Sequence, residues 1–132
     1  MILAIETLTD ALGIQLVTLE EGFVTATMPV DERTRQPLGY LHGGASVALA
    51  ETVASVGAFQ LIDREKEICF GLEINANHLR PKRDGIVTAE GSVIHRGRST
   101  QVWEVKIKDE NDRVICISRC TIAVVKREKK VS

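Results

Sequence analysis

The sequence predicts one α+β domain, an antiparallel sheet wrapped around a long central helix, and three observations carry that prediction. From Gly43 to the approach of Asp63 nothing breaks a helix, and Ala45, Val47, Ala48, Leu49, Ala50, Val53, Ala54, Val56, Ala58 and Phe59 leave it no wide polar face. Ahead of this helix stand two short stretches of period-two alternation, and after it stand four more, each closed by a turn. The chain has 132 residues, of which 44% are hydrophobic, enough for one core and too few for two, so the domain is expected to span residues 1–132.

Taken in order, Ile2, Ile5, Leu8 and Leu12 are spaced for one apolar stripe of a short amphipathic lead-in, which Gly13 stops. Residues 14–19 and 23–28 read as two strands around the turn Glu20, Glu21, Gly22, with Val24, Ala26 and Met28 on one face. Pro29 ends that pairing, and residues 31–37 form a polar connection to the helix. The helix, apolar all round, is expected to be buried on every side. Four strands then follow as a meander: 68–79, with Phe70, Leu72, Ile74 and Ala76 on one face and Glu73, Asn75 and Asn77 on the other; 86–95; 100–108, with Trp103, Val105 and Ile107 opposing Val102, Glu104, Lys106 and Lys108; and 114–125. The basic tail from Lys126 is expected to fray. One sheet layer covers only part of such a helix, so the uncovered face and the sheet edge call for a second copy related by two-fold symmetry.

Composition excludes several function classes. A formal charge of -1 and a pI near 6.3 argue against nucleic-acid binding, which needs a basic surplus. Cys69, Cys116 and Cys120 are odd in number and lack metal-ligand spacing, so they are read as reduced thiols, with no metal expected. The helix is a poor membrane span: its apolar run falls short of the ~20 residues a span needs, and it carries Glu51 near its middle. The N-terminal stretch has acids and no basic segment of the secretory kind, so a cytoplasmic location is expected.

Glu51 is where the chemistry is expected. An ionisable group in an apolar helix has to be paired, neutral or functional, because burying it alone costs several kcal/mol. The plainer alternative is a part of the helix that faces solvent. Around it, residues 36–39 (QPLG), 41–46 (LHGGAS), 50–52 (AET) and 71–78 (GLEINANH) resemble the hotdog-fold acyl-CoA thioesterases, and the resemblance runs nearly the full length. HGG ahead of a helix is moderately specific; Glu51 eight positions after Gly43 and the INANH strand make it strongly so. The nearest group contains 1,4-dihydroxy-2-naphthoyl-CoA thioesterases, siderophore-proofreading thioesterases and glutamate-dependent 4-hydroxybenzoyl-CoA thioesterases. The resemblance implies the hotdog fold, hydrolysis of an acyl-CoA with an aromatic acyl group, and no cofactor beyond the coenzyme A of the substrate.

The chemistry can also be argued from the residues. A thioester carbonyl gathers negative charge on oxygen as it is attacked, and the free N–H groups and dipole of a helix start suit that charge. Gly43 and Gly44 would let substrate approach that backbone. Glu51 can serve as general base toward water or as nucleophile. Gly43 and Glu51 are eight positions apart, hence about 12 Å apart along the axis. A site using both therefore joins two chains, as the resemblance also implies. A homodimer, or a dimer of dimers (homotetramer), is what the resemblance implies for the assembly.

The remaining candidates carry weaker signals. Ser55 lies four positions after Glu51 on one helical face, where a hydroxyl could hold the carboxylate or a substrate oxygen; a small packing residue is the plainer reading. By resemblance, Gln36 and His42 orient water or the carbonyl, Arg80 grips the nucleotide end of coenzyme A, and Ser99 and Thr100, after Gly97 and Arg98, form a phosphate-contacting turn. Exposed arginines near turns are more often simply solvated. Asn77 and His78 are candidates for the acyl pocket or for strand pairing at a subunit interface. Two rivals stand beside the hydrolase: a hotdog hydratase or dehydratase, which resembles a different His-plus-carboxylate pattern, and a non-enzymatic acyl-CoA-binding module, against which Glu51 counts.

Overall fold

The computed structural model describes residues 6–128. Its elements are α1 (Leu8–Ala11), β1 (Gln15–Glu20), β2 (Phe23–Pro29), α2 (Gly43–Gln60), β3 (Glu67–His78), β4 (Ile86–Arg96), β5 (Thr100–Lys108) and β6 (Val114–Lys126). All six strands form one antiparallel sheet in the order β1-β2-β4-β5-β6-β3. Helix α2 lies across one face. The alternating positions Val24, Ala26 and Met28 of β2, Val87 and Ala89 of β4, Trp103, Val105 and Ile107 of β5 and Cys120 and Ile122 of β6 are buried beneath Leu49, Ala50, Val53, Ala54 and Ala58 of α2. Helix and sheet meet tightly at Gly57, where a Cβ would stand 2.3 Å from the Trp103 ring. The Trp103 indole donates to Gln101 Oε1 (2.8 Å), and Gln101 Nε2 donates to the Ala58 carbonyl (3.3 Å), which fixes β5 to the end of α2.

Several expectations are corrected. The four strands after the helix are not a simple meander: β4, β5 and β6 are, but β3 pairs with β6 at the far edge and β4 pairs with β2. A seven-residue link over residues 79–85, containing Pro81, joins β3 to β4, where a hairpin would need a tight turn. The helix is buried on one side only. Ala45, Ser46, Leu49, Ala50, Val53, Ala54, Gly57 and Ala58 face the sheet, while Val47, Ala48, Glu51, Thr52, Ser55, Val56 and Phe59 stay half-buried because one sheet layer covers one face.

Strand β3 also changes phase. A bulge between Gly71 and Glu73 inserts Leu72, so Cys69 packs on the core before it and Ile74 and Ala76 after it, while Phe70 and Leu72 are 58% and 64% exposed. The expected single face of Phe70, Leu72, Ile74 and Ala76 is therefore broken by one extra residue. At the termini, helix α1 is a single turn with Leu8 exposed and Leu12 packed on the core, so the predicted stripe is only partly buried; Ile2 and Ile5 lie outside the described residues. Lys126 does not fray: it pairs with Glu67, and the Arg127 N–H donates to the Lys66 carbonyl (2.9 Å). No helix among the described residues is long and apolar enough to cross a membrane.

Candidate active site

The start of α2 is built by local sequence. His42 is its N-cap, and its Nδ1 accepts the Gly44 N–H at 2.8 Å, so the neutral ring carries its proton on Nε2. The His42 carbonyl accepts from the N–H groups of Ala45 (3.0 Å) and Ser46 (3.3 Å). Of the four donors that open a helix, only Gly43 N–H has no partner among the described residues. The glycines here make room for imidazoles: a Cβ on Gly43 would stand 2.9 Å from His78 Nε2, and one on Gly44 2.9 Å from His42 Nδ1.

Gln36 is held beside this turn. Its N–H donates to the Tyr40 carbonyl (2.7 Å), and its side-chain carbonyl accepts from Leu38 N–H, which leaves the amide NH2 to point elsewhere. Gln36, Tyr40, Gly43, Ser46, His78, Arg80 and Lys82 are among the residues lining a cavity of about 390 Å³ at the helix start. The structure thus brings together Gln36, Gly43, His78 and Arg80, with His42 capping the turn.

Glu51 sits two turns along on the half-buried face. Its Oε2 lies against β3 at Gly71, where a Cβ would stand 2.2 Å away, so this bare backbone position makes room for the carboxylate. No described residue donates a hydrogen bond to the Glu51 carboxylate or forms an ion pair with it. Cys120 of β6 is close by: burial, with the charges of Glu51 and Glu73 adding to it, pushes its thiol up to about 12, so it stays protonated and unreactive. Ser55 shares the half-buried face, but its hydroxyl makes no hydrogen bond to the Glu51 carboxylate.

Other candidates are not gathered in one chain. Arg80 follows β3 at the helix start, whereas Arg98, Ser99 and Thr100 form the β4–β5 turn at the opposite end. That turn is placed by the bond from Val124 N–H to the Ser99 carbonyl (2.8 Å) and, one residue on, by Gln101 reaching Ala58. The helix between them is 18 residues long, about 27 Å. Asn77 and His78 are neighbours on a strand and take opposite faces: His78 turns to the helix start, and Asn77 lies opposite exposed Ile117 on the outer face. Sequence reasoning missed Tyr40, Ser46 and Lys82. Ser46, three positions after Gly43, was accessible to helical spacing; Lys82 was not. Among the described residues no three His, Cys, Asp or Glu side chains gather as metal ligands.

This arrangement can be compared with known proteins. The Thioesterase superfamily pattern matches residues 38–116, which include the helix start, Glu51 and Gly71. A 1,4-dihydroxy-2-naphthoyl-CoA hydrolase from Listeria monocytogenes is 55% identical over 122 residues, 92% of this chain and 98% of that protein. The crystal structure of thioesterase HI1161 from Haemophilus influenzae superposes with a TM-score of 0.85 at 47% identity, covering 89% of this chain and 82% of that one. A glutamate-to-alanine mutant of the hypothetical protein SAV0944 from Staphylococcus aureus superposes with a TM-score of 0.90 at 45% identity, covering 92% and 100%. With the family pattern spanning more than half of its length and the sheet and helix matching these structures, the chain belongs to the thioesterase superfamily, has the hotdog fold and is a thioester hydrolase.

Proposed function

We propose that the protein hydrolyses an acyl-CoA with an aromatic acyl group, giving the free acid and coenzyme A, at sites shared between two copies of the chain. The observation that carries this reading is the separation of the Gly43 N–H and the Glu51 carboxylate, neither with a partner among the described residues, on one rigid helix about 12 Å apart along its axis. Neither can reach a carbonyl held by the other in the same chain. A two-fold partner brings the helix start of one chain to Glu51 of the other, and the exposed Phe70 and Leu72 on edge strand β3 give such a partner apolar surface to cover. The name of the Listeria relative supports the aromatic acyl group.

In this reading the thioester carbonyl oxygen accepts from Gly43 N–H, and the helix dipole favours the charge it gains. Glu51 takes a proton from water as the water oxygen bonds to the carbonyl carbon. Collapse of the tetrahedral species breaks the C–S bond, and the departing thiolate takes up a proton. If Glu51 attacks directly, a mixed anhydride forms first and water then cleaves it. The free amide NH2 of Gln36 orients water or the carbonyl. Arg80 from one chain and the turn of Arg98, Ser99 and Thr100 from the other hold the phosphates, which explains why they stand apart within one chain.

The test is a thiol-release screen over aromatic, short aliphatic and long aliphatic acyl-CoAs, with Glu51→Gln as control. Hydrolysis of aromatic thioesters above the others and dependent on Glu51 is expected. A preference for aliphatic acyl groups would overturn the aromatic assignment, and equal rates with and without Glu51 would overturn the mechanism.

A further inference from the structure

Glu110, on the turn between β5 and β6, plays no part in the chemistry above, yet its carboxylate is strapped onto the segment behind the candidate site. Oε2 accepts the Ile86 N–H at 3.0 Å, and Oε1 pairs with Lys82 Nζ at 2.7 Å. The carboxylate occupies the space above Gly85, where a Cβ would be 1.9 Å from Oε2 and where φ is +79°. A residue with a side chain at position 85 would block the strap as well as strain the backbone.

The strapped segment is where three other pieces attach. The Lys82 carbonyl accepts from Leu41 N–H (2.7 Å), the Gly85 carbonyl from Val30 N–H (2.8 Å) and the Arg83 carbonyl from Arg35 Nε (2.9 Å). Leu41 immediately precedes His42, the N-cap of α2, so one covalent step separates the anchored N–H from the turn that leaves Gly43 free. Lys82 lines both the 390 Å³ cavity with Gln36 and Gly43 and a second cavity of about 280 Å³ that Glu110 itself lines. We propose that Glu110 is a positioning residue, which through Lys82 and residues 82–86 sets the helix start that receives the thioester oxygen. The catalytic half of this inference rests on the function proposed above; the positional half does not.

Glu110→Ala removes both contacts, whereas Glu110→Gln keeps an acceptor for Ile86 N–H and loses the charge. Measured well below the melting temperature of each variant, on the thioester that the unaltered protein hydrolyses best, kcat of Glu110→Ala is expected to fall about tenfold, with a smaller loss for Glu110→Gln. In a Gly43→Pro background the same change should cost little more, because the donor it positions is already gone. A lower melting temperature with unchanged kcat, or losses that multiply independently in the double variant, would overturn the role. Amide hydrogen exchange needs no substrate: Leu41 and His42 should exchange faster in Glu110→Ala, and unchanged protection there would overturn the strap itself. If the unaltered protein cleaved no thioester, the proposed function would fall while the exchange result still decided the strap.

Discussion

The first turn of α2 and the middle of the same helix carry the two halves of the proposed chemistry, and they are finished to different degrees. In the first turn every opening backbone N–H but one has a partner: His42 caps Gly44, the His42 carbonyl takes Ala45 and Ser46, and only Gly43 N–H, beside His78, has none among the described residues. In the middle, the Glu51 carboxylate lies against bare backbone at Gly71, on a face that the sheet leaves half-buried, with no donor among the described residues. A cap, a carbonyl and two glycines fashion a donor from adjacent residues. A carboxylate within an apolar helix has no such neighbours to draw on, and in the function proposed above a second copy of the chain completes it.

The comparison breaks first at Glu51. Glu51→Gln keeps the shape and the helix propensity but loses the base, so kcat is expected to fall at least about a hundredfold with the fold intact by circular dichroism. A folded variant with near-normal turnover would show that the mid-helix carboxylate is structural.

Subunit exchange sharpens the same comparison. A Glu51→Ala chain mixed with a Gly43→Pro chain, which lacks the N–H at the first helical position, should rebuild one sound site in each heterodimer once each variant is shown to fold. Random exchange makes half of the dimers mixed, so about a quarter of full activity should return. Mixed dimers as inactive as either parent would return Glu51 and Gly43 to separate roles within one chain.

The difference between the two stretches also bears on what was legible. Strand β5 was readable to the residue, because Trp103, Val105 and Ile107 alternate with polar neighbours on a half-buried strand, and the period of two carries that information. The helix start was readable because capping and glycine geometry are local. Strand order was not: periodicity says which face is buried, never which strand lies alongside, so the transfer of β3 to the far edge left no mark in the apolar pattern. Nor was the bulge at Leu72, which swaps Phe70 and Leu72 to the outside in a run that still alternates on paper. That Arg80 and Ser99 stand at opposite ends of α2 was not legible either, because residue type does not say which end of the sheet a turn occupies.

Arg80 tests that last separation. If it contacts coenzyme A from the helix-start side, Arg80→Ala should raise KM for a CoA thioester about two- to fivefold, the range expected of an exposed charge pair, with kcat nearly unchanged. The effect should be absent with a truncated thioester that lacks the nucleotide. An unchanged KM for the full CoA substrate would remove Arg80 from the binding surface.

The smallest expected effect concerns how the finished end of the helix responds to acid. The hydrogen bond from Lys82, then that from Ile86 N–H, lowers the Glu110 carboxyl from 4.5 to about 2. A carboxyl whose folded value lies below its unfolded one stabilises fully above the unfolded value and loses that contribution as pH falls through the folded one. The strap should therefore be intact at pH 5 and above and should weaken between about pH 4.5 and 2. Its side chain is 51% exposed, so solvent screening keeps the effect small. Comparing urea midpoints of the unaltered protein and Glu110→Gln across pH isolates this group, since every other carboxyl titrates in both. The midpoint difference should be constant from pH 5 to 8 and shrink toward zero near pH 2. A difference that persists undiminished at pH 2 would show that the charge of Glu110 is not what holds residues 82–86, and the order of the helix start would then rest on its capping residues alone.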